Sequence, residues 1–174
     1  MRHARRQASA AVAALVALVT AASGAAVASP ASAAKPAKDC AGSSTEIMDA
    51  TNRILSAWDH GDAAGVAQGY RPDGDLVLST GQRLAGRAAI KDYYTTAFAG
   101  PLKGTRAIGS PTSMRCVADT VAVSDGLLGI LLPGESYTDP AQVPLGRRFA
   151  VSVVAVSDGA SWSVAQLQST TIAG

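Results

Sequence analysis

The sequence predicts a single α+β domain, with helices first and a meander of long antiparallel strands after them. Three features support this. Ile47, Ala50, Ile54, Ala57 and Trp58 recur at helical spacing. Glycines and a Pro-Asp-Gly step then punctuate 61–86, cutting that stretch into short elements. Beyond Pro101 the chain turns to strand-length runs rich in Val, Thr and Ser, separated by Gly, Pro and Asp.

Each element has a local cause. Ser43 and Glu46 form a capping box that starts a helix over 44–60, and Gly61 stops it. Asp62 caps a second, short helix ending near Tyr70, and Arg71-Pro72-Asp73-Gly74 is turn chemistry. A strand over 75–80 turns at Gly81 and returns over 83–85, and Gly86 launches a third helix over 87–99. A long strand over 105–117 carries Gly109-Ser110-Pro111, where a bulge or bend is expected. Ala118-Asp119 turns into a strand over 120–132, and the proline-rich 133–144 is a loop, either a lid or a linker. The next strand, 147–156, carries Val151, Val153, Val154 and Val156, which predicts cover on both faces. Ser157-Asp158-Gly159-Ala160 turns into the last strand, 162–172.

The first 33 residues read as a secretory signal peptide. Arg2, Arg5 and Arg6 precede an almost uncharged Ala/Val/Leu stretch, and Ala31-Ser32-Ala33 offers cleavage there or one residue later. The chain is therefore expected to be secreted, with a polar leader over 34–42, one domain over 43–174 and no membrane association after cleavage. The signal holds three of the 15 Lys+Arg, leaving 12 against 13 Asp+Glu, a net charge near −1. A cationic stripe for nucleic acid is absent from this composition. Cys40 and Cys116 are the two cysteines, and in an oxidising compartment such a pair usually bridges. The closed loop of about 75 residues is worth about 4 kcal/mol in the chain-entropy model. Two free thiols, with Cys116 buried as a small apolar residue, is the alternative.

Cofactor signatures are missing. No Gly-x-Gly-x-x-Gly follows a strand, no Lys follows Gly86 as a phosphate loop requires, and His60 is the one histidine beyond the signal. Neither a cofactor nor a metal is expected.

The runs Ala57-Trp58, Gly61-Asp62, Pro72-Asp73, Gly86-Arg87-Ala88-Ala89-Ile90, Phe98-Ala99-Gly100-Pro101-Leu102-Lys103-Gly104-Thr105-Arg106 and Trp162-Ser163-Val164-Ala165-Gln166-Leu167-Gln168, in this order, resemble the SgcJ/EcaC family of the nuclear transport factor 2-like superfamily. That superfamily includes SnoaL-type polyketide cyclases and ketosteroid isomerase. The resemblance implies three N-terminal helices packed on a curved, mostly antiparallel sheet of about six strands. It implies a cone-shaped, cystatin-like roll with a cavity inside, and frequent homodimers.

Ketosteroid isomerase needs a carboxylate base and an oxyanion hole of Tyr plus protonated Asp. The resemblance places the Tyr at Ile54, the base at Leu78 and the Asp within 151–153, where Ser152 is the one polar residue. All three are vacant. What remains is a mostly apolar site. Ile54 and Trp58 share a helical face and Leu78 faces inward. The resemblance adds Tyr94, Ser152 and Gln168 as polar or aromatic ligand contacts, with Tyr93 outside or at the rim. Trp58 fits helix–sheet packing as well as ligand contact, and Gln168, with Gln166, fits a polar outer face as well as an anchor. His60 and Asp75 are the candidate catalytic groups, though a helix-terminal His complements the dipole and an Asp after a turn caps it. Arg115, Arg147 and Arg148 are candidates for holding an anion, with at most one of the last two facing inward. The expected function is binding of a small hydrophobic molecule without a cofactor. A cyclase or isomerase, or a dimeric interaction module with a collapsed pocket, are the alternatives.

Overall fold

The computed structural model describes residues 44–173. The expected signal peptide, polar leader and Ser43 cap, and Cys40, lie outside the described residues. Helix α1 (Ser44–Asp59) buries Ile47, Ala50, Ile54 and Trp58, one stripe at three- and four-residue spacing. Gly61, at φ 64°, ends it by donating its N–H to the Trp58 carbonyl at 2.8 Å. Asp62 caps α2 (Ala63–Gln68) by accepting from the Gly65 N–H at 2.9 Å. Helix α3 (Gly86–Ala99) buries Ile90, Tyr94 and Ala97.

Among the described residues six strands form one sheet: β1 (Tyr70–Val77), β2 (Arg83–Ala85), β3 (Arg106–Ala118), β4 (Val121–Leu131), β5 (Arg148–Ser157) and β6 (Trp162–Thr171). Their order is β2-β1-β6-β5-β4-β3, with β1 and β6 parallel and every other pair antiparallel. Three helices on a six-stranded, mostly antiparallel sheet is the expected fold class. Among the described residues no helix is long and apolar enough to cross a membrane.

Three local expectations change. Arg71-Pro72-Asp73-Gly74 is a bulged part of β1, with register shifting between Tyr70 and Asp75. The bulge brings Gly74 so close to the Val164 carbonyl that a Cβ there would lie 2.9 Å from its oxygen. Strand β5 is covered on one face: Val153 and Ala155 are buried, while Val154 and Val156 are half-buried and Ser152 is exposed. Third, the loop over 133–144 packs on the outer face of the sheet. Leu131, Pro140 and Val143 are fully buried there. A Cβ on Gly129 would fall 2.7 Å from Val143 Cγ2. Glu135 fastens this strap. It accepts from both Arg147 Nη atoms at 2.5 and 2.8 Å and from the Leu132 N–H at 2.7 Å. Those bonds, Arg147 first, hold its carboxyl below the usual glutamate range. The strap's ionic contribution is therefore intact at neutral pH and is lost as pH falls through that lowered value.

The expected bend in β3 is present as a register shift between Pro111 and Ser113. Opposite it, a Cβ on Gly126 would sit 2.5 Å from the Ser110 carbonyl oxygen and 3.1 Å from Pro111 Cα. Both contacts are backbone and cannot swing away. Gly126→Ala is expected to cost about 1–3 kcal/mol in denaturant unfolding, a typical overpacking penalty.

Candidate functional site

Sheet register decides which side chains face the helices. One cross-strand row runs Leu76, Leu167, Val153, Ser124 and Met114, and a second runs Ser169, Val151, Gly126 and Pro111. Every member of both rows lines a cavity of about 320 Å³ between the sheet and α1. The row between them runs Val77, Gln168, Ser152, Asp125 and Ser113, and none of these reaches the cavity. Successive residues point to opposite faces, which accounts for these three rows, while Ser110 and Leu127, paired with each other on the other parity, also border the cavity.

Ile54, Trp58, Leu78 and Tyr94 all line the cavity, from three different elements. Ile54 and Trp58 sit one helical turn apart on α1. Leu78 continues the inward parity of Leu76 past the end of β1. Trp58 is held on every side. Its Nε1 donates to Thr105 Oγ1 at 3.1 Å, and its ring meets Tyr94 and Phe98 edge-on at centroid distances of 5.3 and 5.7 Å. Tyr93 lines the wall as well.

The remaining candidates lie elsewhere. Ser152 donates to Asp125 Oδ1 at 2.6 Å on the outer face, and Gln168 pairs with Ser152 across β5 and β6. With Ser113 donating to the other oxygen at 3.1 Å, these bonds lower the Asp125 pKa, Ser152 contributing most. His60 is exposed beyond the end of α1, with Nδ1 2.7 Å from the Ser56 carbonyl. Asp75 accepts from Arg83 at 2.6 Å across the β1–β2 hairpin. The cavity wall includes neither. The arginines face other partners: Arg115 lies 3.7 Å from Asp125, Arg147 binds Glu135, and Arg148 donates to the Ala141 carbonyl. Among the described residues no three His, Cys, Asp or Glu side chains come together as a metal site would require. Cys116 is buried against Ala50, Ala122, Ala155 and Trp162, and its expected partner Cys40 lies outside the described residues.

Tyr70 is one of the lining residues that sequence reasoning missed, along with Val151, Val153, Leu167 and Ser169. It was expected at a helix end before a turn, yet it opens β1, is 1% exposed and lines the cavity beside Tyr94. No hydrogen bond reaches the Tyr70, Tyr93 or Tyr94 hydroxyl from any described residue. Burial raises all three pKa values, most for Tyr70 and Tyr94, and the neighbouring tyrosines raise Tyr94 further. The cavity wall holds no Asp, Glu, His, Lys or Arg among the described residues. Its chemistry is that of a largely apolar pocket whose polar groups are the three tyrosine hydroxyls, Asn52 and the hydroxyls of Thr51, Ser79, Thr80, Ser110, Ser124 and Ser169, the last two donating to backbone carbonyls.

The SnoaL-like domain model matches residues 41–167. The chain belongs to the SnoaL-like domain family. Solved structures agree at the level of fold. A cystatin-like domain of unknown function from Nostoc punctiforme is 24% identical, with a TM-score of 0.65 over 75% of this chain and 77% of its own. A nuclear transport factor 2-like protein from Novosphingobium aromaticivorans is 19% identical, with a TM-score of 0.62 over 75% and 82%. A ketosteroid isomerase-like protein from Erwinia carotovora atroseptica is 15% identical, with a TM-score of 0.58 over 76% and 98%. No curated protein matches the chain. This SnoaL-like domain thus shares its helix-on-sheet fold with these structures.

The buried tyrosines give a pH test. Unfolded tyrosine ionises near ~10. Tyr70 and Tyr94 are held neutral above that, so the stability tied to their neutral form is whole below ~10 and is lost as pH rises toward their folded values. Phenolate absorbance is expected to show Tyr70 and Tyr94 ionising only together with unfolding. One step near ~10 with the fold intact would contradict their burial.

Proposed function

We propose that this protein is a secreted binder of a small, largely apolar molecule, held without a cofactor in the cavity between α1 and the sheet. The observation that carries this reading is the wall itself. A space of about 320 Å³ is lined mostly by apolar side chains and tyrosines, with Asn52 and several Ser and Thr residues among them, and lies within the size range of small-molecule sites. The SgcJ/EcaC subgroup, suggested by the residue runs quoted above, is the finer placement within the family. Binding is favoured over turnover because general acid–base catalysis works best with a group whose pKa lies near neutrality: His60 and Asp75 stand outside the wall, and burial pushes the wall's tyrosines further up from their ordinary value.

Thermal unfolding with a panel of small apolar molecules tests this directly. At least one is expected to raise the Tm and to quench or shift Trp58 fluorescence. A panel that changes neither would sink the proposal. The mature chain is expected to begin just after Ala33 or Ala34, to carry the Cys40–Cys116 bridge and to form a homodimer. An intact mass before and after reduction, together with light scattering, checks all three.

A further inference from the structure

The wall of the cavity is asymmetric along α1. Trp58 and Tyr94 belong to one buried cluster, which also contains Tyr70, whereas Ile47 belongs to a second, against which Met114 packs. Ile47 and Trp58, both lining residues, stand eleven positions apart on α1, about 16 Å at 1.5 Å per residue. The cavity therefore runs lengthwise under the helix, with tyrosines toward one end and Met48 and Met114 toward the other.

At the tyrosine end the polar groups are spoken for unequally. Trp58 Nε1 already donates to Thr105, whose own hydroxyl donates to the Leu102 carbonyl at 2.9 Å. The hydroxyls of Tyr70 and Tyr94, by contrast, lack a partner among the described residues although these side chains are 1% and 5% exposed. Tyr93 packs edge-on against Tyr94 at 5.2 Å, bringing a third hydroxyl-bearing ring to the same end. Arg148 Nε is the one sealed side-chain polar atom without a partner among the described residues, so the Tyr70 and Tyr94 hydroxyls open onto the cavity and can bond to whatever enters it. The walls offer no countercharge to an ion stripped of water, which strongly disfavours a charged guest.

We infer that the occupant is an elongated, uncharged molecule with one hydrogen-bonding oxygen, seated with that oxygen against the hydroxyls of Tyr70 and Tyr94 and its hydrocarbon part running along α1 toward Met114. This rests on the reading of the cavity as a small-molecule site. A neutral ketone, alcohol or ester of medium chain length fits the description, and a carboxylate or ammonium of equal length does not.

Calorimetric titration of the mature protein with 2-decanone, decanoate and decylammonium separates the outcomes. The ketone is expected to bind at least about tenfold tighter than either ion at neutral pH, and decanoate is expected to gain on it near pH ~4 as the acid becomes neutral. Tyr94→Phe and the Tyr70→Phe/Tyr94→Phe pair are expected to keep or raise the Tm, since each removes a hydroxyl that bonds to nothing in the protein. They should also weaken the ketone about fivefold or more, the value of a lost hydrogen bond. Ions that bind as tightly as the ketone, or a doubly substituted protein with unchanged ketone affinity, would overturn this inference while leaving the small-molecule reading in place. Failure of all three probes at both pH values would overturn the two together.

Discussion

Replacing Trp58 by alanine is expected to lower the unfolding free energy by about 3–5 kcal/mol, the range for deleting a large buried aromatic. The ring is 6% exposed and edge-on to both Tyr94 and Phe98, so its loss removes contacts on several sides at once. It also leaves Thr105, itself buried, without its indole donor. The neighbours cannot collapse to fill the gap, because the site already borders the cavity. Trp58→Phe should recover most of the packing and lose the hydrogen bond, costing about 1–2 kcal/mol. Urea unfolding of the two variants measures the difference. Equal, small losses for both would mean that the indole is not the post on which α1 rests.

The second large effect concerns strand parity. Val153→Asp places a carboxyl in the cavity wall with no partner, and is expected to destabilise the fold by several kcal/mol at neutral pH. A carboxyl so buried has a raised pKa. The penalty should therefore be least at acid pH, where the group is neutral, and should grow as pH rises above the ordinary carboxylate value near ~4. Gln166→Asp, on the exposed face of the adjoining strand, should change stability by no more than about 0.5 kcal/mol. Denaturant midpoints across pH read both. Similar losses at the two positions would mean the two faces of the sheet have been exchanged.

Most of the architecture was legible because its causes are local. The α1 stripe, the Gly61 stop, the Asp62 cap and the β3 bend each rest on two or three neighbouring residues, and each is present. Residues 71–74 misled because Pro-Asp-Gly is ordinarily a turn. Here it is absorbed as a bulge, and only the β1–β6 pairing reveals that. The same bulge concealed Tyr70, whose inward direction cannot be counted from Leu76 across a broken register. Ser152 and Gln168 show a different limit. Alternation in 151–153 and 166–169 is plain, yet one strand alone does not say which of its faces is inward. Resemblance to relatives singled out the polar residues, whereas cross-strand rows assign the cavity to Val151, Val153, Leu167 and Ser169. Ile54, Trp58, Leu78 and Tyr94 line the cavity, and helix periodicity and one strand's parity suffice to turn the first three toward it, while α3 directs the fourth.

The central claim is that an open, apolar space persists under α1. Crystals of the protein pressurised with xenon test it most directly, since xenon enters dry cavities and makes no use of hydrogen bonds. The account predicts a xenon site in contact with Trp58, Leu128 and Val153. Side chains packed solidly through that region, with no xenon bound, would contradict it.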